Sequence, residues 1–250
     1  RKIWANIMKN RFDVTDQNAM KCRFHVQTAG STLQAQQIDN NVIRTTMQAA
    51  AAVLGGTQSL HTNSRDEALS LPTEESAQLA LRTQQILAYE SGLPNVADPL
   101  AGSYFIESLT SEIEAETLKL IDAIDSKGGA IRAIEESFQQ NEIANASFDY
   151  QQSIETKEQI IVGVNKFQDT KSQQKESLFS VDNNSISDQI KRLKKFKENR
   201  STADVKSSLK KLSAALDSNQ NLVPQIVMCI KNNCTLGEIC SIMKNKYGTY

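Results

Sequence analysis

Phe24-His25-Val26-Gln27-Thr28-Ala29-Gly30-Ser31-Thr32 alternates its side chains and then enters a small-residue turn. Alternation with period two is the signature of a strand, so His25 and Gln27 share one face. Gly55-Gly56-Thr57-Gln58-Ser59-Leu60-His61-Thr62-Asn63 repeats the arrangement, with a second short extended run ending in polar residues. Between the two, from Gln36 to Leu54, Val42, Thr45, Thr46, Ala49, Ala52 and Val53 recur at helical spacing. Gly55 and Gly56 then end that helix. Strand, helix and strand in this order predict a parallel β/α unit, whose functional groups gather at the C-terminal ends of the strands. Gln27, Gly30, His61 and Asn63 fall there.

Outward from this unit, helices are expected over 2–10, 74–90, 105–125, 129–138 and 140–155. The helix at 74–90 has the clearest start, because Pro72-Thr73-Glu74-Glu75 places a proline and an acidic pair at its positive end. Residues 96–104 read as an extended segment and turn, and Ile160-Ile161-Val162-Gly163-Val164-Asn165 as a further apolar strand. Composition then changes. Residues 168–185 are rich in Gln, Ser, Lys and Asn and read as a polar linker. Beyond it, Ile186, Ile190, Leu193 and Phe196 make one helical stripe, Val205, Leu209, Leu212 and Leu216 another, and Ile239, Ile242 and Met243 a third. Ser201 with Asp204, and Thr235 with Glu238, have the spacing of reciprocal helix caps.

The chain has 250 residues and a formal charge of -1, so no global charge draws it to nucleic acid or to anionic membranes. Lys191-Arg192-Leu193-Lys194-Lys195-Phe196-Lys197 is a local basic run, read as a solvated helix face in preference to a polyanion contact. No apolar run reaches membrane-spanning length. Arg1 opens directly into a helical pattern, which reads as a processed product or a piece of something longer. Cys22, Cys229, Cys234 and Cys240 have no metal-ligand spacing, and free thiols in a reducing, cytoplasmic setting are the expectation.

His25 and His61 are the two histidines of the chain. Ser59, His61, Asp66 and Glu67 can be drawn as a hydrolytic triad, but no Gly-x-Ser-x-Gly elbow is present. A metal site would require His25, His61, Asp66 and Glu67 to converge without a recognised spacing. Neither of the two glycine-rich phosphate loops follows a strand. The inventory favours a neutral cavity in which amides, hydroxyls and imidazoles hold a carbonyl, a carboxylate or ribose hydroxyls.

Residues 25–36 and 55–74, together with Asp98-Pro99-Leu100-Ala101-Gly102-Ser103 and Ile161-Val162-Gly163-Val164-Asn165-Lys166-Phe167, resemble the large catalytic chain of the methylmalonyl-CoA mutase family. The resemblance runs continuously over about residues 1–167, weakens over the linker and returns at Thr235-Leu236-Gly237-Glu238-Ile239-Cys240. It implies an α/β fold comprising the C-terminal portion of a (β/α)8 TIM barrel over 1–167, then the linker over 168–185 and a helical appendage or docking segment over 186–250. In that family, adenosylcobalamin caps the barrel and initiates a radical rearrangement of an acyl-CoA carbon skeleton. Carried over residue by residue, Gln27 becomes the catalytic candidate, with Gln58 beside it on the acyl-CoA or adenosyl side. His25, Gln58 and Ser59 are the substrate-binding candidates, with His25 and Ser59 in the CoA channel. Gly30, Asn63, Glu67, Ala68 and Leu71 become the cofactor-binding candidates, Glu67 as an acceptor for ribose hydroxyls. No protein metal ligand is assigned.

The same resemblance implies absences. The early barrel strands that clasp the acyl group would precede Arg1, and no Asp-x-His-x-x-Gly motif supplies a lower ligand to cobalt. The expected partners are therefore an acyl-CoA substrate and complementary barrel and cobalamin-binding chains, in a homo- or hetero-oligomer, with no nucleic acid and no membrane. A non-catalytic binding or regulatory protein derived from such a barrel is the alternative.

Overall fold

The computed structural model describes residues 1–169, 179–218 and 220–249. Its contacts divide the chain into two units, Arg1–Phe179 and Ser180–Tyr250. The expected linker at 168–185 falls in part on residues outside the described ones.

The first unit is α/β. Helix α1 (Lys2–Asn10) leads through turns to β1 (His25–Gln27), helix α2 (Asn40–Leu54) and β2 (Ser59–His61). The strands pair in parallel, with His25 opposite Ser59, Val26 opposite Leu60 and Gln27 opposite His61. This is the β/α unit expected from the alternation. Helix α2 starts four residues later than its apolar spacing suggests, because Gln37 adopts a positive φ of 49° and cannot extend the helix. Helix α3 (Glu74–Tyr89) starts where its sequence predicts. The Thr73 hydroxyl accepts the Ser76 N–H, and Glu74 and Glu75 lie in the first turn. Helices α4 (Tyr104–Ser126), α5 (Ala130–Glu135) and α6 (Phe138–Glu155) follow, separated by the positive-φ residues Gly128, Gly129 and Ser137.

The expected strand at 160–165 is corrected. That stretch is a turn closed by an isolated bridge between Val162 and Lys166. The Asn165 side chain accepts the Ile161 N–H at 2.8 Å and donates to the carbonyls of Ile154 (2.9 Å) and Gln159 (2.8 Å). A side chain that captures this much local backbone curls the segment that its apolar residues would otherwise extend. Gly163, at φ 82°, supplies the bend. Residues 96–103 likewise form turns rather than a strand, after a short 3-10 helix at Leu93–Asn95.

Among the described residues, this unit buries more polar side chains than apolar ones. Leu33, Ile38, Ala49, Leu87 and Ala133 are buried, beside Thr28, Asn41, Thr45, Thr62, Asn63, Ser64, Asp66, Ser76 and Thr83. Large apolar groups remain outside: Tyr104 is 95% exposed and Tyr89 87%. The region around the strands is therefore held by hydrogen bonds more than by an oily core.

The second unit is helical: α7 (Asn183–Glu198), α8 (Thr202–Leu216), α9 (Val223–Lys231) and α10 (Leu236–Tyr247). Val205, Leu212, Cys229, Cys234 and Ile239 form its core, with Leu209, Ile226, Ile242 and Met243 packed around them. Helix α9 was not visible as a stripe in the sequence. It ends in a Schellman turn: Asn233 is left-handed at φ 62°, and the Cys234 N–H returns to the Cys229 carbonyl at 2.9 Å. At the start of α10, Thr235 and Glu238 form the expected reciprocal cap. At α8 only one half forms, the Ser201 hydroxyl accepting the Asp204 N–H. Arg200 clamps both oxygens of Glu238, at 2.7 and 2.5 Å.

Candidate functional site

Parallel register and period two together place His25, Gln27, Ser59 and His61 on one face of the sheet. All four are exposed, while Val26 and Leu60 between them are half-buried. His25 Nδ1 lies 2.7 Å from Ser59 Oγ. The serine therefore pairs with His25 across the sheet and not with His61 along its own strand. Gln58, one residue earlier, points its amide into the backbone. Its Oε1 accepts the Phe24 N–H at 2.6 Å and its Nε2 donates to the Gly56 carbonyl at 3.0 Å. In this arrangement Gln58 braces the start of the strand pair and lies apart from the His25–Ser59 contact.

The strand pairing continues to Thr28, whose N–H donates to the His61 carbonyl at 3.1 Å. The Thr28 hydroxyl donates to Asn63 Oδ1 at 2.8 Å and accepts the Asn63 N–H at 2.9 Å. This reciprocal pair is buried and fixes the Asn63 side chain. Asn63 Nδ2 then lies against Gly30. A Cβ placed on Gly30 would come within 3.0 Å of Asn63 Nδ2 and 3.3 Å of Glu67 Oε1. Three of the candidate residues, Gly30, Asn63 and Glu67, thus converge at the C-terminal ends of both strands. Ala68 and Leu71 follow Glu67 in the exposed loop before α3; the Leu71 carbonyl accepts the Ser70 hydroxyl at 2.9 Å, and Leu71 is 64% exposed.

Residues that the sequence did not single out hold these loops in place. Asn41, fully buried at the start of α2, donates to the carbonyls of Gln34 and Arg65, both at 2.8 Å. Its Oδ1 accepts from the Gln34 N–H at 3.0 Å and from Arg44 at 2.7 Å. One side chain thereby ties the loop after β1 to the loop after β2. Arg44 also donates to the Val162 carbonyl, bringing in the turn at 160–165. Gln48 accepts the Ala29 N–H and donates to the Thr32 hydroxyl, both at 2.7 Å. Thr62 Oγ1 donates to the Ala80 carbonyl and accepts from Gln84, so α3 is pinned beneath β2. A polar residue at an inward position of an amphipathic helix was the available signal for Asn41 and Gln48.

Asp66 is also structural. Its Oδ2 accepts the Thr73 N–H at 3.0 Å, which closes the loop into α3. Burial pushes its carboxyl up, but the Thr73 N–H and the nearby Ser64 and Ser76 hydroxyls outweigh burial and leave it below the ordinary aspartate value. With Asp66 so engaged and Ser59 paired to His25, the triad drawn through Ser59, His61 and Asp66 does not assemble. Among the described residues no three His, Cys, Asp or Glu side chains converge as a metal site, and no helix is long and apolar enough to cross a membrane.

Comparison with known proteins follows the same lines. The family model for methylmalonyl-CoA mutase matches residues 1–249, which includes the helical tail. The chain is 40% identical to the 2-hydroxyisobutanoyl-CoA mutase large subunit of Aquincola tertiaricarbonis, over 100% of this chain and 45% of that protein. It is 42% identical to the mitochondrial methylmalonyl-CoA mutase of Bos taurus and 40% identical to that of Mus musculus, in each case over 100% of this chain and 34% of the relative. The chain therefore spans less than half the length of each of these relatives. Their names also correct the cytoplasmic expectation, since the bovine and mouse proteins are mitochondrial. Free thiols report only a reducing environment and could not separate one such compartment from another. By the extent of these matches, the chain belongs to the methylmalonyl-CoA mutase family.

Proposed function

We propose that this chain is part of an adenosylcobalamin-dependent acyl-CoA mutase that isomerises a carbon skeleton reversibly, as in methylmalonyl-CoA to succinyl-CoA, together with complementary chains or segments. The observation that carries this reading is the convergence of Gly30, Asn63 and Glu67 at the C-terminal ends of two parallel strands, beside the His25–Ser59 face. On this reading residues 1–167 are the C-terminal portion of a (β/α)8 barrel. Two parallel strands with apolar helix surface left open fit a sheet that further strands complete.

The groups present suit a nucleoside and not a cobalt ligand. Gly30 carries no side chain, so Asn63 and Glu67 can close over its backbone and offer an amide and a carboxylate side by side. When bound, adenosylcobalamin supplies the cleavable cobalt–carbon bond that starts radical chemistry. The protein's part is orientation. Glu67 accepts from ribose hydroxyls, and Asn63, immobilised by Thr28, fixes the position of the nucleoside. Gln27 donates from its amide to the thioester carbonyl. His25, its ring held by Ser59, lines the CoA side, and Gln58 supports that wall through the backbone. Ala68 and Leu71 cover the corrin side.

Reconstitution tests the reading. The chain is assayed for acyl-CoA isomerisation with adenosylcobalamin, alone and with the complementary barrel and cobalamin-binding segments of a family member. Turnover is expected only in the reconstituted mixture. Glu67→Gln should lower it by about 10- to 100-fold, the worth of one hydrogen bond to a charged group. An assembled, folded complex without turnover would assign the chain a binding or regulatory role instead.

A further inference from the structure

The core of the second unit closes without α7. Val205, Leu212, Cys229, Cys234 and Ile239 come from α8, α9, α10 and the loop between the last two, and no residue of α7 is buried. Yet α7 has an apolar stripe: Ile186, Ile190, Leu193 and Phe196 recur at helical spacing and each remains between 41% and 50% exposed. Around it stand Lys191, Arg192, Lys194, Lys195 and Lys197 against only Asp188 and Glu198. At 3.6 residues per turn, Lys194 borders the stripe on one side and Arg192 on the other, while Lys197 falls within it, one turn beyond Leu193. Lys191 pairs with Asp188, and Arg192 donates to Gln189. Among the described residues Lys194, Lys195 and Lys197 have no ion-pair partner.

We propose that α7 is a docking helix for an acidic amphipathic helix of a partner protein. An apolar stripe with cations on both borders is complementary to a helix of apolar core positions flanked by Glu or Asp, the pairing rule of heterotypic coiled coils. A second copy of α7 would set cations against cations. Nucleic acid would leave the stripe uncovered. A bilayer would gain little, because four side chains already about half-covered offer a small apolar face for insertion. The inference concerns binding alone and holds whether or not the assembled protein is a mutase.

The test uses the full chain and a synthetic helical peptide with Leu at its core positions and Glu along both flanks, read by fluorescence anisotropy. A peptide with Lys in place of Glu, and vesicles of phosphatidylcholine with phosphatidylserine, are the comparisons. The acidic peptide should bind, more weakly as salt is raised, and the basic peptide should not. Lys194→Glu with Lys197→Glu should weaken binding about tenfold, and Leu193→Ser should weaken it comparably. Circular dichroism of both variants should match the parent, since α7 adds nothing to the buried core. Equal binding of both peptides, binding to vesicles only, or acidic-peptide binding that survives both sets of substitutions would overturn the proposal.

Discussion

Replacing Glu238 with Gln should destabilise the helical tail and abolish most of its acid sensitivity. Arg200 donates to both carboxylate oxygens, and the Thr235 N–H adds a third bond at 2.8 Å. Chiefly through Arg200, and against the opposing effect of burial, the carboxyl is held down from 4.5 to about 2. A group held below its ordinary value binds protons more readily in the unfolded chain. Its contribution is therefore complete above about pH 4.5 and is lost as the pH falls towards about 2. A depression of that size corresponds to about 3 kcal/mol. The Glu238 side chain is 25% exposed, and solvent screening brings the expected contribution nearer to about 2 kcal/mol. Glutamine retains an acceptor for the helix cap but no charge for Arg200, so the variant should lose about 2 kcal/mol at neutral pH. Hydrogen exchange of the α8, α9 and α10 amides, corrected for intrinsic rates and converted to opening free energies, reads this directly. The parent's values should fall as the solution is acidified below about pH 4.5, and those of Glu238→Gln should stay nearly flat. Parallel curves for the two proteins would refute the assignment of this ion pair as the source.

Other perturbations address the site. Asn41→Ala removes four hydrogen bonds from a buried position and strands the Gln34 and Arg65 backbone groups. A loss of about 2–4 kcal/mol is expected in urea unfolding of the first unit, followed by fluorescence of the single tryptophan, Trp4. Gly30→Ala presses a methyl group against Asn63 Nδ2 at 3.0 Å. It should shift the Asn63 side-chain amide resonances in an NMR spectrum and cost about 1–2 kcal/mol, with unchanged resonances counting against the crowding.

What could be read in advance follows from the range of the forces involved. Period-two alternation in two short segments, with alanine-rich helix between them, sufficed for a parallel pair. Local capping chemistry sufficed for the starts of α3 and α10, because the partners lie within three residues of one another. What could not be read in advance has another origin. Residues 160–165 are apolar enough for a strand, but a neighbouring side chain, Asn165, occupies the backbone groups that a ladder would use. Gln58 came to the cavity through the family resemblance, and its bond to the Phe24 N–H appears only once the strands pair. Asp66 could be drawn into a triad that the missing nucleophile elbow argued against, and its burial and its bond to Thr73 are properties of the folded loop. The convergence of Gly30, Asn63 and Glu67 depends on register between segments about thirty residues apart. The family resemblance had named those residues, but spacing alone could not bring them together.

The bridge made by Asn41 has a consequence for how the site responds to its surroundings. An ion pair at that position would slacken with salt and switch with protonation. An amide does neither, so the separation between the two strand-end loops should hold constant across ionic strength and physiological pH. What does change an amide's grip is water. Any ligand that settles over these loops and dries them would strengthen the four bonds of Asn41. Binding would thus stiffen the frame that made binding possible.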